Sequence, residues 1–108
     1  MWQFKVGYDT GGKASWWLYA TNGKMVAWAG ESFASLANAQ RAANGFRLGA
    51  STARYEVYQD SALAWRWRAW RSSDKVASSG EAFSGRYAAQ EAAENVRRNA
   101  GGAAAAAA

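Results

Sequence analysis

The 108-residue sequence predicts an α+β fold of two tandem β-β-β-α repeats, forming one pseudo-twofold body with an antiparallel sheet and helices packed on one face. Three observations carry this expectation. The chain repeats itself: Phe4, Val6, Asp9 and Trp16 return as Tyr55, Val57, Asp60 and Trp67 at a spacing of 51. Val26, Ala27, Gly30, Glu31, Phe33, Gln40, Ala43 and Ala50 return as Val76, Ala77, Gly80, Glu81, Phe83, Gln90, Ala93 and Ala100 at a spacing of 50. Within each copy the apolar period changes from that of strands to that of a helix. A half of roughly 50 residues buries too little surface to be safely stable alone, so the halves should share a core or lie edge to edge.

The drop in spacing implies one residue lost between Trp67 and Val76. There Asn22-Gly23 of the first copy faces Ser72-Ser73-Asp74 of the second, and turns are where length changes cost least. The resulting boundaries are residues 1–51 for the first repeat, 52–100 for the second and 101–108 for a low-complexity Gly/Ala tail.

Residues 3–8 place Phe4 and Val6 on one side and Lys5 and Gly7 on the other, and Tyr55-Glu56-Val57-Tyr58 repeats the alternation, so both read as strands. Asp9-Thr10-Gly11-Gly12 supplies a turn. A second strand spans 15–20. Asn22-Gly23 is a hairpin signal in which both turn positions want positive φ, and a third strand spans 25–29. Helical spacing then aligns Leu36, Ala39, Ala43, Phe46 and Ala50 opposite Gln40, Arg41, Asn44 and Arg47. The second helix aligns Ala89, Ala93, Val96 and Ala100, with Gln90, Glu91, Glu94 and Arg97 toward water. Ser35 and Ser84 are the expected N-caps, and Arg97 and Arg98 complement the dipole at the helix end. The inward set is Phe4, Val6, Trp16, Leu18 and Val26 with Tyr55, Val57, Trp67, Ala69 and Val76.

Composition narrows the chemistry. The chain has no cysteine and no histidine, so disulfides, imidazole catalysis and the commonest metal ligand are absent. No apolar run approaches the ~20 residues of a membrane-spanning helix, and the start lacks the apolar stretch of a signal peptide, which makes the cytoplasm the expected location. The net charge of +5 favours polyanionic partners only weakly. No Gly-x-Gly-x-x-Gly or Walker-type pattern follows a strand, and Gly11-Gly12 is too short to cradle phosphate. No cofactor or metal is expected. The tail of residues 101–108 carries no chemistry, its six alanines being either a genuine tail or placeholders for unidentified side chains, and the folded part should end near Ala100.

The segments Trp16-Trp17-Leu18-Tyr19-Ala20-Thr21-Asn22-Gly23, Ala27-Trp28-Ala29-Gly30-Glu31, Trp65-Arg66-Trp67-Arg68, Ala77-Ser78-Ser79-Gly80-Glu81 and Val96-Arg97-Arg98-Asn99-Ala100 resemble the YegP-like family over residues 3–100. That resemblance implies a small bacterial or archaeal protein of unknown function, with a strand-rich half before each helix and tandem halves standing in for two protomers. It transfers no catalytic residues. Trp17 and Tyr19 stand where the family carries basic residues, Trp28-Ala29 replaces Ser-Ser before Gly30, and the second copy lacks Asn-Gly at its hairpin.

Among candidate functional residues, the sharpest feature is Trp65-Arg66-Trp67-Arg68-Ala69-Trp70-Arg71, where alternation puts Arg66, Arg68 and Trp70 opposite inward Trp67. A guanidinium fork and an indole suit single-stranded nucleic acid, or the side chains pack on one another by cation-π contact. The equivalent positions of the first half are Trp17 and Tyr19, an aromatic patch that is either a partner-binding surface or core. Glu31 and Glu81 occupy equivalent places and could act as paired carboxylates, but strand-to-helix bends explain Gly-Glu-x-Phe without catalysis. Asp9 and Asp60 read as turn caps. The expectation is a non-catalytic module that binds a protein or nucleoprotein through Arg66, Arg68, Trp70, Trp17 and Tyr19. Direct nucleic-acid binding through the same face and self-assembly through open sheet edges are the alternatives. The chain should be a monomer with pseudo-twofold symmetry or a weak homodimer, and not an enzyme.

Overall fold

Turn chemistry and period-two alternation produce β1 (Gln3–Tyr8), β2 (Ala14–Tyr19) and β3 (Met25–Trp28), and helical period then produces α1 (Leu36–Gly49). The second half gives β4 (Arg54–Gln59), β5 (Trp65–Arg71), β6 (Asp74–Ser79) and α2 (Arg86–Asn99), followed by a 3-10 turn at Ala100–Gly102. A computed structural model of the chain describes residues 1–105. All six strands form one antiparallel sheet in the order β1-β2-β3-β6-β5-β4, so the two third strands meet at its centre and the two first strands are its edges.

Each β-β-β unit is a meander closed by short loops. At Asp9–Lys13 the carboxylate of Asp9 accepts from the amides of Gly11 and Lys13, both at 2.9 Å, and Gly12 adopts φ 78°. Asp60 accepts in the same way from Ala62 and Ala64, confirming both aspartates as turn caps, but the left-handed position is filled there by Leu63 at φ 67°. The Asn22-Gly23 hairpin differs from expectation. Gly23 has φ 84°, Asn22 is not in the left-handed region, and Gly23 N–H donates to Ala20 O while Ala20 N–H donates to Lys24 O. This is a three-residue loop ending on a left-handed glycine rather than a two-residue turn. Its counterpart, Ser72-Ser73 between paired Arg71 and Asp74, is one residue shorter, which accounts for the change of spacing between the copies.

The helices lie over one face, α1 mainly on β1 and β2 and α2 mainly on β5 and β4. Both are 14 residues long and start 50 residues apart. Ser35 caps α1 by accepting from Asn38 N–H at 3.1 Å. Ser84 is not the cap of α2; Gly85 holds that position, without a side-chain bond, because the repeat offset maps Ser35 onto Gly85.

Trp16 and Trp67, fully buried, centre the two halves of one core. Phe4 meets Trp16 edge-on at 5.5 Å, and Phe46 stacks on Trp16 at 5.4 Å. In the second half Tyr55 takes the place of Phe4 and Val96 that of Phe46. The Tyr55 hydroxyl donates to Ala50 O at the end of α1, at 2.8 Å, and burial pushes its pKa far above the ordinary phenol value. Truncating either tryptophan to alanine should cost about 3–5 kcal/mol.

Register adds two bulges to the expected core, in which Val26 and Val76 still pack against it. Leu18 pairs with Ala27 and Tyr19 with Met25, which leaves Val26 as an extra residue; Ala69 pairs with Ala77 and Trp70 with Lys75, which leaves Val76 extra. At these bulges Ala27 and Ala77 are the fully buried residues, whereas Val26 and Val76 are only partly buried, as are Val6, Tyr55 and Val57. Ordered structure also continues past Ala100. Ala103 is buried, Phe4 N–H donates to Ala104 O, and Ala104 N–H donates to Trp2 O, so the chain clips onto the β1 edge. Residues 106–108 of the tail lie outside the described residues.

Candidate functional site

The strands place side chains alternately, so the residues between the core positions gather on the helix-free side of the sheet. Pairing carries one row across all six strands: Lys5 opposite Trp17, Trp17 opposite Trp28, Trp28 opposite Ser78, Ser78 opposite Arg68, and Arg68 opposite Glu56. Flanking it are Gln3 and Tyr19 in one half and Arg54 and Trp70 in the other, with Tyr58 opposite Arg66 beyond. Arg66, Arg68, Trp70, Trp17 and Tyr19 therefore share one surface and are half-buried rather than core. Among the described residues no helix packs over them, and Ala104 meets the β1 edge rather than this face.

The second-half arginines are held in place. Arg68 Nε donates to Glu56 Oε1 at 2.6 Å, the Trp70 indole N–H donates to the same oxygen at 3.0 Å, and the guanidinium lies 4.3 Å from the Tyr58 ring centroid and 5.4 Å from that of Trp70. Arg66 Nε donates to Asp60 Oδ2 at 2.8 Å. The Arg68 hydrogen bond, with that of Trp70, holds the Glu56 carboxyl below its usual pKa, and Arg66 does the same for Asp60. Both arginines thus arrive with their charge matched. In the first half Lys5 sits 5.3 Å from the Tyr19 ring and Arg54, in the second, 5.7 Å from Trp70. The cation-π packing weighed from the sequence is present at Lys5, Arg54 and Arg68, alongside the ion pairs of Arg66 and Arg68.

Sequence reasoning missed Trp28, Tyr58, Lys5, Arg54 and Glu56. Strand alternation alone marks them as outward, but only register shows that they adjoin the arginines and tryptophans.

Glu31 and Glu81 do not form a carboxylate pair. Glu81 lies 3.0 Å from the ammonium of Lys24 and lines a cleft with Met25, Val26 and Phe83, while Glu31 lines a different cleft with Phe33, Lys75 and Val76. Each cleft is built from the hairpin of one repeat and the helix of the other. Among the described residues no three acidic side chains converge as a metal site, and no helix is long and apolar enough to cross a membrane.

Neither family models nor curated protein sequences give a match to the chain. Its structure is similar to that of UPF0339 protein SO3888 from Shewanella oneidensis, with TM-score 0.77 and 14% identity over 93% of this chain and 85% of that one. It is also similar to yegP from E. coli, a protein of unknown function, with TM-score 0.76 and 17% identity over 92% and 85%. At this identity the likeness establishes architecture, and the six-stranded antiparallel sheet with two helices on one face is the YegP-like fold.

Proposed function

We propose that this chain is a non-catalytic, cytoplasmic binding module whose helix-free sheet face docks a protein partner. The observation that carries the reading is the row Lys5-Trp17-Trp28-Ser78-Arg68-Glu56, which sets two tryptophans and an arginine in one line across the whole sheet with no element over them among the described residues. Tryptophan, tyrosine and arginine are the side chains that most often dominate protein interfaces, the aromatic pair because they bury large area with little loss of conformational freedom and arginine because its planar fork makes several directed hydrogen bonds. The matched charges favour protein over nucleic acid. A phosphate approaching Arg66 or Arg68 would compete with Asp60 or Glu56 already bonded at 2.8 and 2.6 Å.

A photo-crosslinking residue at Trp28, used in the native host, tests this. The expected product is a protein adduct that resists nuclease and disappears with Trp17→Ala or Arg68→Ala; a hot-spot truncation should weaken the isolated complex by about 30-fold or more. An adduct abolished by nuclease, together with oligonucleotide affinity that falls steeply with salt, would replace the protein reading with nucleic-acid binding. Crosslinks only between copies of this chain would point instead to assembly.

A further inference from the structure

The two inter-repeat clefts are built from equivalent positions but carry different charges. One lies between the β2-β3 hairpin and α2, and among the described residues Lys24 and Glu81 are its only charged lining residues, joined as an ion pair at 3.0 Å. Its counterpart lies between the β5-β6 hairpin and α1. Val76, Phe33 and Ala42 there repeat Val26, Phe83 and Ala92, but Ala20 has become Arg71, Met25 has become Lys75, and Arg41 stands where α2 has Glu91. The second cleft thus faces three cations and one carboxylate, Glu31, over an apolar floor that includes Phe46.

None of the three cations forms an ion pair with an acidic side chain among the described residues. Arg71 Nη2 donates to Gly45 O at 2.8 Å, and its guanidinium lies over Gly49, where an added Cβ would sit 2.9 Å from Nη2. Lys75 Nζ donates to Gly30 O at 3.2 Å, and Arg41 donates to the side-chain oxygen of Asn38. A carbonyl satisfies one donor and neutralises no charge, so both Arg71 and Lys75 keep donors free. This contrasts with Arg66, Arg68 and Arg97, each matched to a carboxylate.

We propose that the cleft between α1 and the β5-β6 hairpin binds a small organic anion, a carboxylate or phosphate monoester with an apolar body, its charge held by Arg41, Arg71 and Lys75 and its body against Phe33, Phe46 and Val76. Charge-assisted hydrogen bonds from such donors are the strong ones. The cavity of about 230 Å³ is smaller than a site for a drug-sized molecule, which restricts the occupant to a single ring or a short chain. The counterpart, with about 210 Å³ and a closed ion pair, has similar room without the excess charge, and serves as an internal control.

The test is titration of the ¹⁵N-labelled chain with phenyl phosphate, followed by amide shifts, with benzyl alcohol as the uncharged probe. The expected result is saturable movement of Gly30, Phe33, Ala42, Gly45 and Val76 with a dissociation constant on the order of 1 mM or tighter, and no matching response at Val26, Phe83 and Ala92. Lys75→Met, which installs the residue of the control cleft, and Arg41→Glu, which installs the residue at the equivalent place of α2, should each weaken binding about tenfold or more. Arg41 is exposed on α1, so its variant remains informative if Lys75→Met perturbs folding. Trp17→Ala, on the opposite side of the sheet, should leave this titration unchanged whatever becomes of partner docking. Absence of saturation, equal response in both clefts, or equal binding of benzyl alcohol would each overturn the assignment.

Discussion

Gly30 and Gly80 occupy the same place in the two repeats, yet the structure requires glycine there for different reasons. Gly30 has φ 78°, and a Cβ added to it would sit 2.5 Å from Ser78 Oγ and 3.1 Å from the flexible Lys75 Cε. Gly80 is outside the left-handed region, but its Cβ would sit 2.7 Å from the main-chain oxygen of Met25, next to the β3 bulge. Gly30→Ala should therefore cost about 1–2 kcal/mol for the left-handed backbone and about 1–3 kcal/mol for crowding. Gly80→Ala should cost about 1–3 kcal/mol from crowding alone. The two are separated by second substitutions. Ser78→Ala removes the obstructing hydroxyl and should recover about 1 kcal/mol of the Gly30→Ala loss, leaving the backbone part, whereas Met25→Ala removes no main-chain atom and should recover nothing at Gly80. Urea unfolding followed by tryptophan fluorescence, with the denaturant slope held constant, reads these differences. A Gly30→Ala cost under about 0.5 kcal/mol, or recovery of Gly80→Ala by Met25→Ala, would refute the reasoning.

Leu63→Gly should raise stability by about 1 kcal/mol, measured in the same assay, because leucine at φ 67° pays a steric penalty that Gly12 avoids in the equivalent loop. Removing residues 103–108 should cost about 1–3 kcal/mol and speed hydrogen exchange at Phe4, since it deletes the two main-chain bonds that clip the β1 edge. Tyr55→Phe should cost about 0.5–1.5 kcal/mol near neutral pH through the lost bond to Ala50 O. Burial raises the folded phenol's pKa, so the unfolded chain loses this proton first, and the wild type should lose stability as pH rises past about 10; the variant should lose less in alkaline denaturation. Glu56, Asp60 and Glu94 show the opposite sign. Arginine partners lower their folded pKa values, the unfolded chain binds more protons in acid, and the stability they contribute is fully present above about pH 5 and fades below it. Glu56→Gln, Asp60→Asn and Glu94→Gln should each flatten the acid limb of a pH-stability profile.

The parts of the fold legible in the sequence are those governed by local period and local chemistry. The alternation around Phe4 and Tyr55, the alanine stripes of both helices, the Asp9 and Asp60 turns and the Ser35 cap follow from residues within a few positions of one another. What was not legible depends on pairing between distant segments. Nothing near Val26 signals that the opposing strand skips it, so the bulge that buries Ala27 is invisible without register. The Gly85 cap was obscured by Ser84 beside it, although the repeat offset points to Gly85. The clip of Ala104 onto β1 has no side-chain signature, since main-chain groups make it. The same division holds for the binding surface: alternation places Arg66, Arg68, Trp70, Trp17 and Tyr19 on one side, but the neighbours that neutralise and orient them, Glu56 and Tyr58, come from another strand. The anion cleft uses a hairpin and a helix from opposite repeats, a combination that becomes visible only once β3 and β6 meet at the sheet centre.

That central meeting has a further consequence. A sheet ordered β1-β2-β3-β6-β5-β4 runs third strand to first from its centre to either edge, so a ligand reading only strand order would have two equivalent ways of lying down. The transverse row abolishes the equivalence: it starts at a lysine, runs through paired indoles, and ends at a carboxylate bridged by arginine. Half a turn would bring the indoles of the row to the arginine end and the carboxylate to the lysine end. The scaffold is two-way, but the side chains mounted on it give the surface a compass direction.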